Sequence, residues 1–196
     1  MIANSEEPEL NYNIPMAPKC DWVWYFGEYQ YAVNVLLGRI KGGEITVVSL
    51  PLAFLVRHTL ELGYKMNLIE LNKIADNAAT ISYTGKSAHR IDTLHAEFVR
   101  LMFDLFKKYK VDQTVIDQFN EYNESLERLN KAIHKLDEFS YAFRYPVGND
   151  GVTSSFISPT SGDEVEINFK EIKELYDKAV VLLKYSTDVI AEYVPS

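Results

Sequence analysis

Polar residues within a long apolar segment are the first candidates for chemistry in this sequence. Arg57, His58 and Glu61 interrupt a run of apolar residues, and Lys65 follows four positions later. If the segment is a helix, Arg57, Glu61 and Lys65 form a row along one face, because residues four apart are neighbours there. Such a row either binds an anion, such as a nucleotide phosphate gripped by arginine, or forms an internal ion-pair network. We favour the ion-pair network and expect Arg144 to lie close to it.

Arg90 and His95 form a second candidate pair, with the spacing Arg-x4-His. A metal-independent ribonuclease needs a base for the 2′-hydroxyl group and a cation for the charge that develops on the phosphate. Histidine and arginine have the required properties. On a regular helix, however, positions five apart differ by roughly 140° in direction. The two side chains can therefore share a phosphate only if Arg90 precedes the helix or if two subunits supply one site.

Several other chemistries lack their motifs in this chain. The four histidines do not form the paired Glu-x-x-His pattern of di-iron proteins. The segment Gly85-Lys86-Ser87 lacks the first glycine of a phosphate-binding loop, and no Gly-x-Ser-x-Gly nucleophile turn occurs. We therefore predict neither a metal site nor a bound cofactor.

Composition and charge narrow the class of protein further. The chain has 196 residues, of which 47% are hydrophobic, so one domain can bury its core without a disulfide or a metal. Its only cysteine is Cys20, and its N-terminal segment lacks the features of a secretory signal. No run of 18 apolar residues is evident, so we expect a cytoplasmic protein that does not span a membrane. A net charge of −8 disfavours broad binding to nucleic acids.

The periodicity of apolar residues predicts a mainly α fold, an antiparallel bundle of about five helices with one inserted β-hairpin. The hairpin is indicated by alternating aromatic and polar residues on both sides of an Asn-Asp-Gly turn. Three prolines predict an extended N-terminal arm over residues 1–20, and residues 21–196 form the bundle. The helices are expected near residues 21–41, 48–66, 90–109, 112–138 and 168–193, and the hairpin near 140–158.

The first predicted helix is unusually rich in aromatic residues. Trp22, Tyr25, Phe26 and Tyr29 recur at helical spacing and are expected to form a core stripe, whereas Trp24 and Tyr31 point elsewhere. One bundle face can bury only one stripe. The surplus aromatic residues are therefore expected beneath the N-terminal arm or against a second subunit, and we predict a homodimer.

Three short segments resemble one branch of the HEPN-like helical domains. Residues 55–65 are similar to its Arg-His-x-Leu-Glu-Leu-x-x-Lys signature, and residues 88–94 to its Gly-His-Asp-Leu-x-x-Leu segment. Residues 143–146, Phe-Arg-Tyr-Pro, are similar to its hairpin. The similarity extends over roughly residues 20–190. It adds His89 to the polar residues that either bind a ligand or form a structural network.

This resemblance implies a bundle of four or five helices that commonly dimerises. Many HEPN-like domains are ribonucleases of toxin–antitoxin, CRISPR and phage-defence systems that carry an Arg-x4–6-His motif, and others have lost the motif and bind nucleotides or partners. Active members usually have a polar residue after the arginine, where this chain has Ile91. Together with the acidic charge, this difference favours a non-catalytic binding or assembly subunit whose partner is RNA, a nucleotide or a protein. The alternative is an endoribonuclease with His95 as the base and Arg90 on the phosphate.

Overall fold

The computed structural model describes residues 21–39, 45–137, 141–145 and 166–195. These residues form five α-helices and no strand. The predicted helical bundle is confirmed at this level. A short 3₁₀ turn, Lys86–His89, precedes the third helix. The helices are α1 (Trp22–Arg39), α2 (Ile45–Asn72), α3 (Ile91–Tyr109), α4 (Gln113–Leu136) and α5 (Phe169–Ala191).

Helix α2 lies at the centre of the bundle. It packs against each of the other four helices, and α4 also packs against α3 and α5. The cause is its composition, because a helix that is apolar on nearly all sides can only be stable with neighbours around it. This arrangement places the polar residues of α2 inside the bundle rather than on its surface.

Helix α2 is longer than its sequence pattern predicted. It begins at Ile45 instead of near 48 and ends at Asn72 instead of near 66, since Leu68 and Leu71 continue its buried face. Because the helix begins at Ile45, Pro51 lies within it and cannot donate a hydrogen bond to the carbonyl group four residues earlier. Pro51 is exposed, so this break in the hydrogen-bond ladder is on the side of the helix that faces solvent.

By length and composition alone, α2 could cross a membrane, and it is the one helix of this kind in the described part of the chain. The helix contains no uninterrupted run of 18 apolar residues, because polar residues such as Ser49, Arg57 and His58 divide it. In the structure, 44% of its most apolar window is buried, and its neighbours are the other helices of the bundle. Helix α2 therefore has the surroundings of a core helix.

The predicted β-hairpin is only partly described, and the part that is described is a turn. The N–H groups of Arg144 and Tyr145 both donate to the Tyr141 carbonyl oxygen, at 3.0 and 3.2 Å. A strand was expected over these residues. The buried Asp137 carboxylate accepts hydrogen bonds from the N–H groups of Tyr141 and Phe143, and these bonds favour the turn over a strand. The rest of the predicted hairpin and the predicted arm, residues 1–20, lie outside the described residues.

The aromatic stripe of α1 is less buried than predicted. Phe26 is buried and Trp22 is half-buried, but Tyr25 is 44% exposed, so its assignment to the core was wrong. Helix α1 packs mainly against α2, and a helix at the edge of a bundle buries only a narrow stripe. Trp24 and Tyr31 are exposed, as expected for residues outside that stripe.

Local hydrogen bonds explain where several helices begin. The Asp21 carboxylate accepts from the Trp24 N–H group at 2.8 Å, which makes Asp21 the cap of α1. The Asn168 side chain accepts from the N–H groups of Lys170 and Glu171, which makes Asn168 the cap of α5. Between α3 and α4 the chain reverses within three residues, with Lys110 in the left-handed conformation (φ 53°). The predicted antiparallel pair follows from this short turn.

Candidate functional site

The polar row of α2 forms the centre of a buried ionic cluster. The Glu61 carboxylate is only 3% exposed, and three basic side chains contact it. Lys65 Nζ lies 2.8 Å from its Oε1 atom, and His89 Nδ1 lies 3.0 Å from the same atom. Arg57 Nη1 lies 3.4 Å from Oε2. The structure therefore confirms that Arg57 and Glu61 are buried and paired. We call Arg57, Glu61, Lys65, His89 and Asp137 the Glu61 network.

Arg57 joins three parts of the chain through its guanidinium group, which is fully buried. Its Nε atom donates to the carbonyl oxygen of Asp137, at the end of α4, at 2.9 Å. Its Nη2 atom donates to the carbonyl oxygen of His89, just before α3. Asp137 also accepts a hydrogen bond from Tyr141, in the turn formed by residues 141–145. The three segments that resemble the HEPN-like branch therefore meet around Arg57.

The charges of the Glu61 network are balanced inside the protein. Burial lowers the pKa of Arg57, while Asp137 and Glu61 oppose that effect. Burial would raise the pKa of Glu61, but the Lys65 ammonium group and the neighbouring histidines lower it below its ordinary value. The two cations Arg57 and Lys65 thus face the two carboxylates Glu61 and Asp137. This geometry favours the internal ion-pair network over an anion pocket, which would need an accessible guanidinium group.

His89 is the member of the network that solvent reaches most easily, with 43% of its side chain exposed. Its Nδ1 atom faces Glu61, and a proton on Nδ1 would leave Nε2 as a hydrogen-bond acceptor. A carboxylate that orients a histidine in this way is also found behind many catalytic bases and metal ligands. Within the described residues, however, no three His, Cys, Asp or Glu side chains converge to hold a metal ion.

His58 and Arg144 lie beside the network rather than within its ion pairs. The His58 ring stacks on Phe54, with centroids 5.6 Å apart, and meets the ring of Tyr29 edge-on at 4.5 Å. Burial lowers the pKa of His58. The Arg144 guanidinium group lies 5.9 Å from the Phe54 ring and 5.6 Å from the Tyr145 ring. These contacts place cations and aromatic rings side by side above the buried network.

Arg90 and His95 each have a partner of their own. Arg90 is the residue before α3 and has an extended backbone, so it does precede the helix. Its Nη2 and Nε atoms bind the carboxylate of Asp92, at 2.6 and 3.2 Å. His95 Nε2 lies 2.9 Å from Asn123 Oδ1 on α4, and burial lowers the pKa of His95. The guanidinium group and the imidazole are thus held by different residues.

Sequence reasoning missed three residues around this pair, Asp92, Asn123 and His134. His134 Nε2 lies 3.5 Å from Asp92 Oδ2, so α4 contributes a second histidine near Arg90. Asn123, Asn130 and His134 are spaced by seven and four residues, which places them on one face of α4. This spacing was the available signal that one face of α4 presents polar groups to its neighbours. Asn123 and His134 contact α3, whereas Asn130 accepts from the Tyr64 hydroxyl group on α2.

The chain matches no family model, no curated protein and no solved structure. The HEPN-like resemblance therefore depends on three short segments of sequence. Their meeting around Arg57 is a property of this chain, independent of any comparison.

Proposed function

We propose that the chain is a HEPN-like bundle that acts as a non-catalytic assembly subunit and forms a homodimer through α1. The observation that carries this proposal is an apolar strip on the outer side of α1. Tyr31 is 70% exposed and Trp24 is 41% exposed. Gly27, one helical turn before Tyr31, has no side chain, and the space above it is open. Large apolar side chains that share one exposed helix face are typical of a surface that binds a partner.

The strip on α1 is complementary to a second copy of itself. If two α1 helices cross antiparallel with the two-fold axis at Tyr31, Trp24 of one copy faces Gly38 of the other, because both are equally far from Tyr31. By the same symmetry Glu28 faces Asn34, which can donate a hydrogen bond to a carboxylate. A side chain added at Gly38 would meet no atom within 4 Å, so nothing in the described chain blocks the approach of the tryptophan.

The oligomeric state of the purified protein tests this proposal. Light scattering of the wild-type chain should report a dimer, and Tyr31→Lys should report the monomer mass of 22.5 kDa. Tyr185→Lys is the matched control, since Tyr185 is another exposed tyrosine but lies on α5. A wild-type monomer at micromolar concentration, or a dimer that survives Tyr31→Lys, would contradict the assembly proposal.

The non-catalytic part of the proposal is supported by the partners of the two candidate residues. Arg90 is bound by Asp92 and His95 by Asn123, so both side chains are engaged within the chain. The net charge of −8 also opposes the approach of RNA. By resemblance, a subunit of this kind works beside a separate effector in a defence or toxin–antitoxin system.

One observation favours the alternative, an endoribonuclease. Because Arg90 precedes α3, its direction is not fixed by the helix, and a dimer can bring two Arg90 and His95 sets together. The test is incubation of the protein with total RNA in the presence of a chelator, beside the double variant Arg90→Ala/His95→Ala. The non-catalytic proposal expects no cleavage that depends on these residues. Cleavage that the double variant abolishes would establish the ribonuclease.

A further inference from the structure

A cavity of about 340 Å³ opens between α3, α4 and α5. It lies beside the first half of α4, whereas the Glu61 network lies beyond the other end of that helix. Five aromatic residues line it, because the apolar stripe of α4 meets the last turns of α3 and α5 there. They are Phe106, Phe119, Tyr122, Tyr185 and Tyr193. A cavity of this size with a mainly apolar lining that includes aromatic rings is suited to a small ligand.

The aromatic rings leave the cavity open instead of filling it. Phe106 and Phe119 pack edge-to-face, with ring centroids 5.2 Å apart, and form the floor. Among the described residues, Tyr122, Tyr185 and Tyr193 make no ring–ring contact with one another or with these phenylalanines. All three tyrosines line the cavity, and Tyr185 is 47% exposed, so their rings border the space that a ligand would occupy.

The charge of the lining favours a cation. Among the residues that the structure describes, Glu192 is the only charged one that lines the cavity, and the lining contains no lysine, arginine or histidine. Behind the lining, the Tyr193 hydroxyl group donates to the Asp112 carboxylate at 2.9 Å, which adds a second negative group nearby. Lys184, outside the lining, lies with its ammonium group 5.1 Å from the Tyr185 centroid, so this ring already attracts one cation.

We propose that this cavity binds a small organic cation with a methylated ammonium group. The faces of aromatic rings attract cations, and methyl groups match the apolar lining. The N–H groups of a primary ammonium group need hydrogen-bond acceptors, which the aliphatic part of the lining, Val115, Val181, Leu182 and Val189, cannot provide. A fully methylated ammonium group has no N–H group and therefore needs no acceptor.

The probe is choline, compared by calorimetric titration with 3,3-dimethyl-1-butanol, its neutral isostere. We expect choline to bind, and the isostere to bind at least about threefold more weakly, because only the charge differs. Tyr185→Leu keeps an apolar side chain but removes a ring face, and should weaken choline binding about three- to tenfold. Tyr83→Leu, which changes an exposed tyrosine outside both the cavity and the proposed dimer surface, is the matched control and should leave binding unchanged.

Three results would overturn the proposal. The first is no choline binding up to a concentration on the order of 10 mM. The second is equal binding of choline and the neutral isostere, which would indicate an apolar cavity without preference for charge. The third is unchanged binding in Tyr185→Leu. Tyr185 is half exposed, so this variant is expected to fold, and a thermal melt confirms that before titration.

Discussion

The buried network depends on Glu61, because its carboxylate pairs with the positive charges of both Arg57 and Lys65. Glu61→Gln keeps the shape of the side chain but leaves Arg57 and Lys65 without their shared carboxylate. We expect the free energy of unfolding to fall by about 3–5 kcal/mol, the usual cost of breaking a buried ion pair from one side. Urea unfolding measures this change.

The matched control is Glu171→Gln, which removes a carboxylate from an exposed ion pair with Arg128. Such pairs contribute at most about 1 kcal/mol, so this variant should unfold almost like the wild type. If Glu61→Gln behaved in the same way, the network would be solvated and its structural role would be wrong.

His58 makes the stability of the protein depend on pH. Burial against Phe54 and Tyr29 lowers its pKa from the ordinary value of 6.5, so the unfolded chain binds a proton more readily than the folded one. The free energy of unfolding should therefore fall as the pH drops through the ordinary histidine range, between about 7.5 and 5.5. His58→Phe keeps an aromatic ring and removes the titration, so its unfolding free energy should fall less over this range. Equal slopes for both proteins would show that His58 does not contribute.

At the residue scale, the sequence revealed the contacts made within one helix and missed those made across the chain. Arg57, Glu61 and Lys65 were predicted to share a face because spacing of four is a local rule. Asp137 was not predicted, since it lies eighty positions from Arg57 and accepts through a backbone carbonyl group. No pattern of residue types marks such an acceptor.

At the scale of elements, the turn between α3 and α4 contains a residue that is poorly suited to its conformation. Lys110 has φ 53°, in the left-handed region that favours glycine. Lys110→Gly should raise the free energy of unfolding by about 0.5–1 kcal/mol, because the backbone strain exceeds the entropy cost of glycine.

Lys107→Gly is the control, because it places the same substitution inside the last turn of α3. There glycine should lower the free energy of unfolding by up to about 1 kcal/mol. Thermal and urea unfolding of both variants give opposite signs if the conformation of Lys110 is the cause. A loss of stability in both would contradict the assignment.

The helices were predictable from periodicity, but their surroundings were not. The spacing of Trp22, Tyr25, Phe26 and Tyr29 correctly indicated a helix and one shared side. It gave no information on how many neighbours that helix has, and with α2 as its main neighbour Tyr25 remains exposed. The apolar pattern of α2 likewise indicated a buried helix, but the start that it predicted, near residue 48, is three residues later than the observed start at Ile45.

At the scale of the whole molecule, Gly63 sets the distance between three helices. A Cβ atom there would lie 2.8 Å from Leu183 Cδ1 on α5 and 2.9 Å from Phe26 Cε2 on α1. One turn along α2, the Asn67 side chain donates to the Leu183 carbonyl oxygen at 2.6 Å, so α5 is held at this short separation by a hydrogen bond as well. The close approach thus connects the helix of the Glu61 network with two of its four neighbours, α1 and α5.

Gly63→Ala should therefore destabilise the bundle, although alanine is the better helix former. The gain in helix propensity is about 1 kcal/mol, whereas overpacking a core costs about 1–3 kcal/mol and here also strains the Asn67 hydrogen bond. Gly27→Ala is the control, since a Cβ atom on that exposed face of α1 meets nothing within 4 Å and should stabilise the helix. Urea unfolding at low protein concentration, where any dimer dissociates, compares the two. An increase in the unfolding free energy of Gly63→Ala, like the one expected for Gly27→Ala, would contradict this prediction. It would show that α1 and α5 can move away from α2 to accommodate the added methyl group.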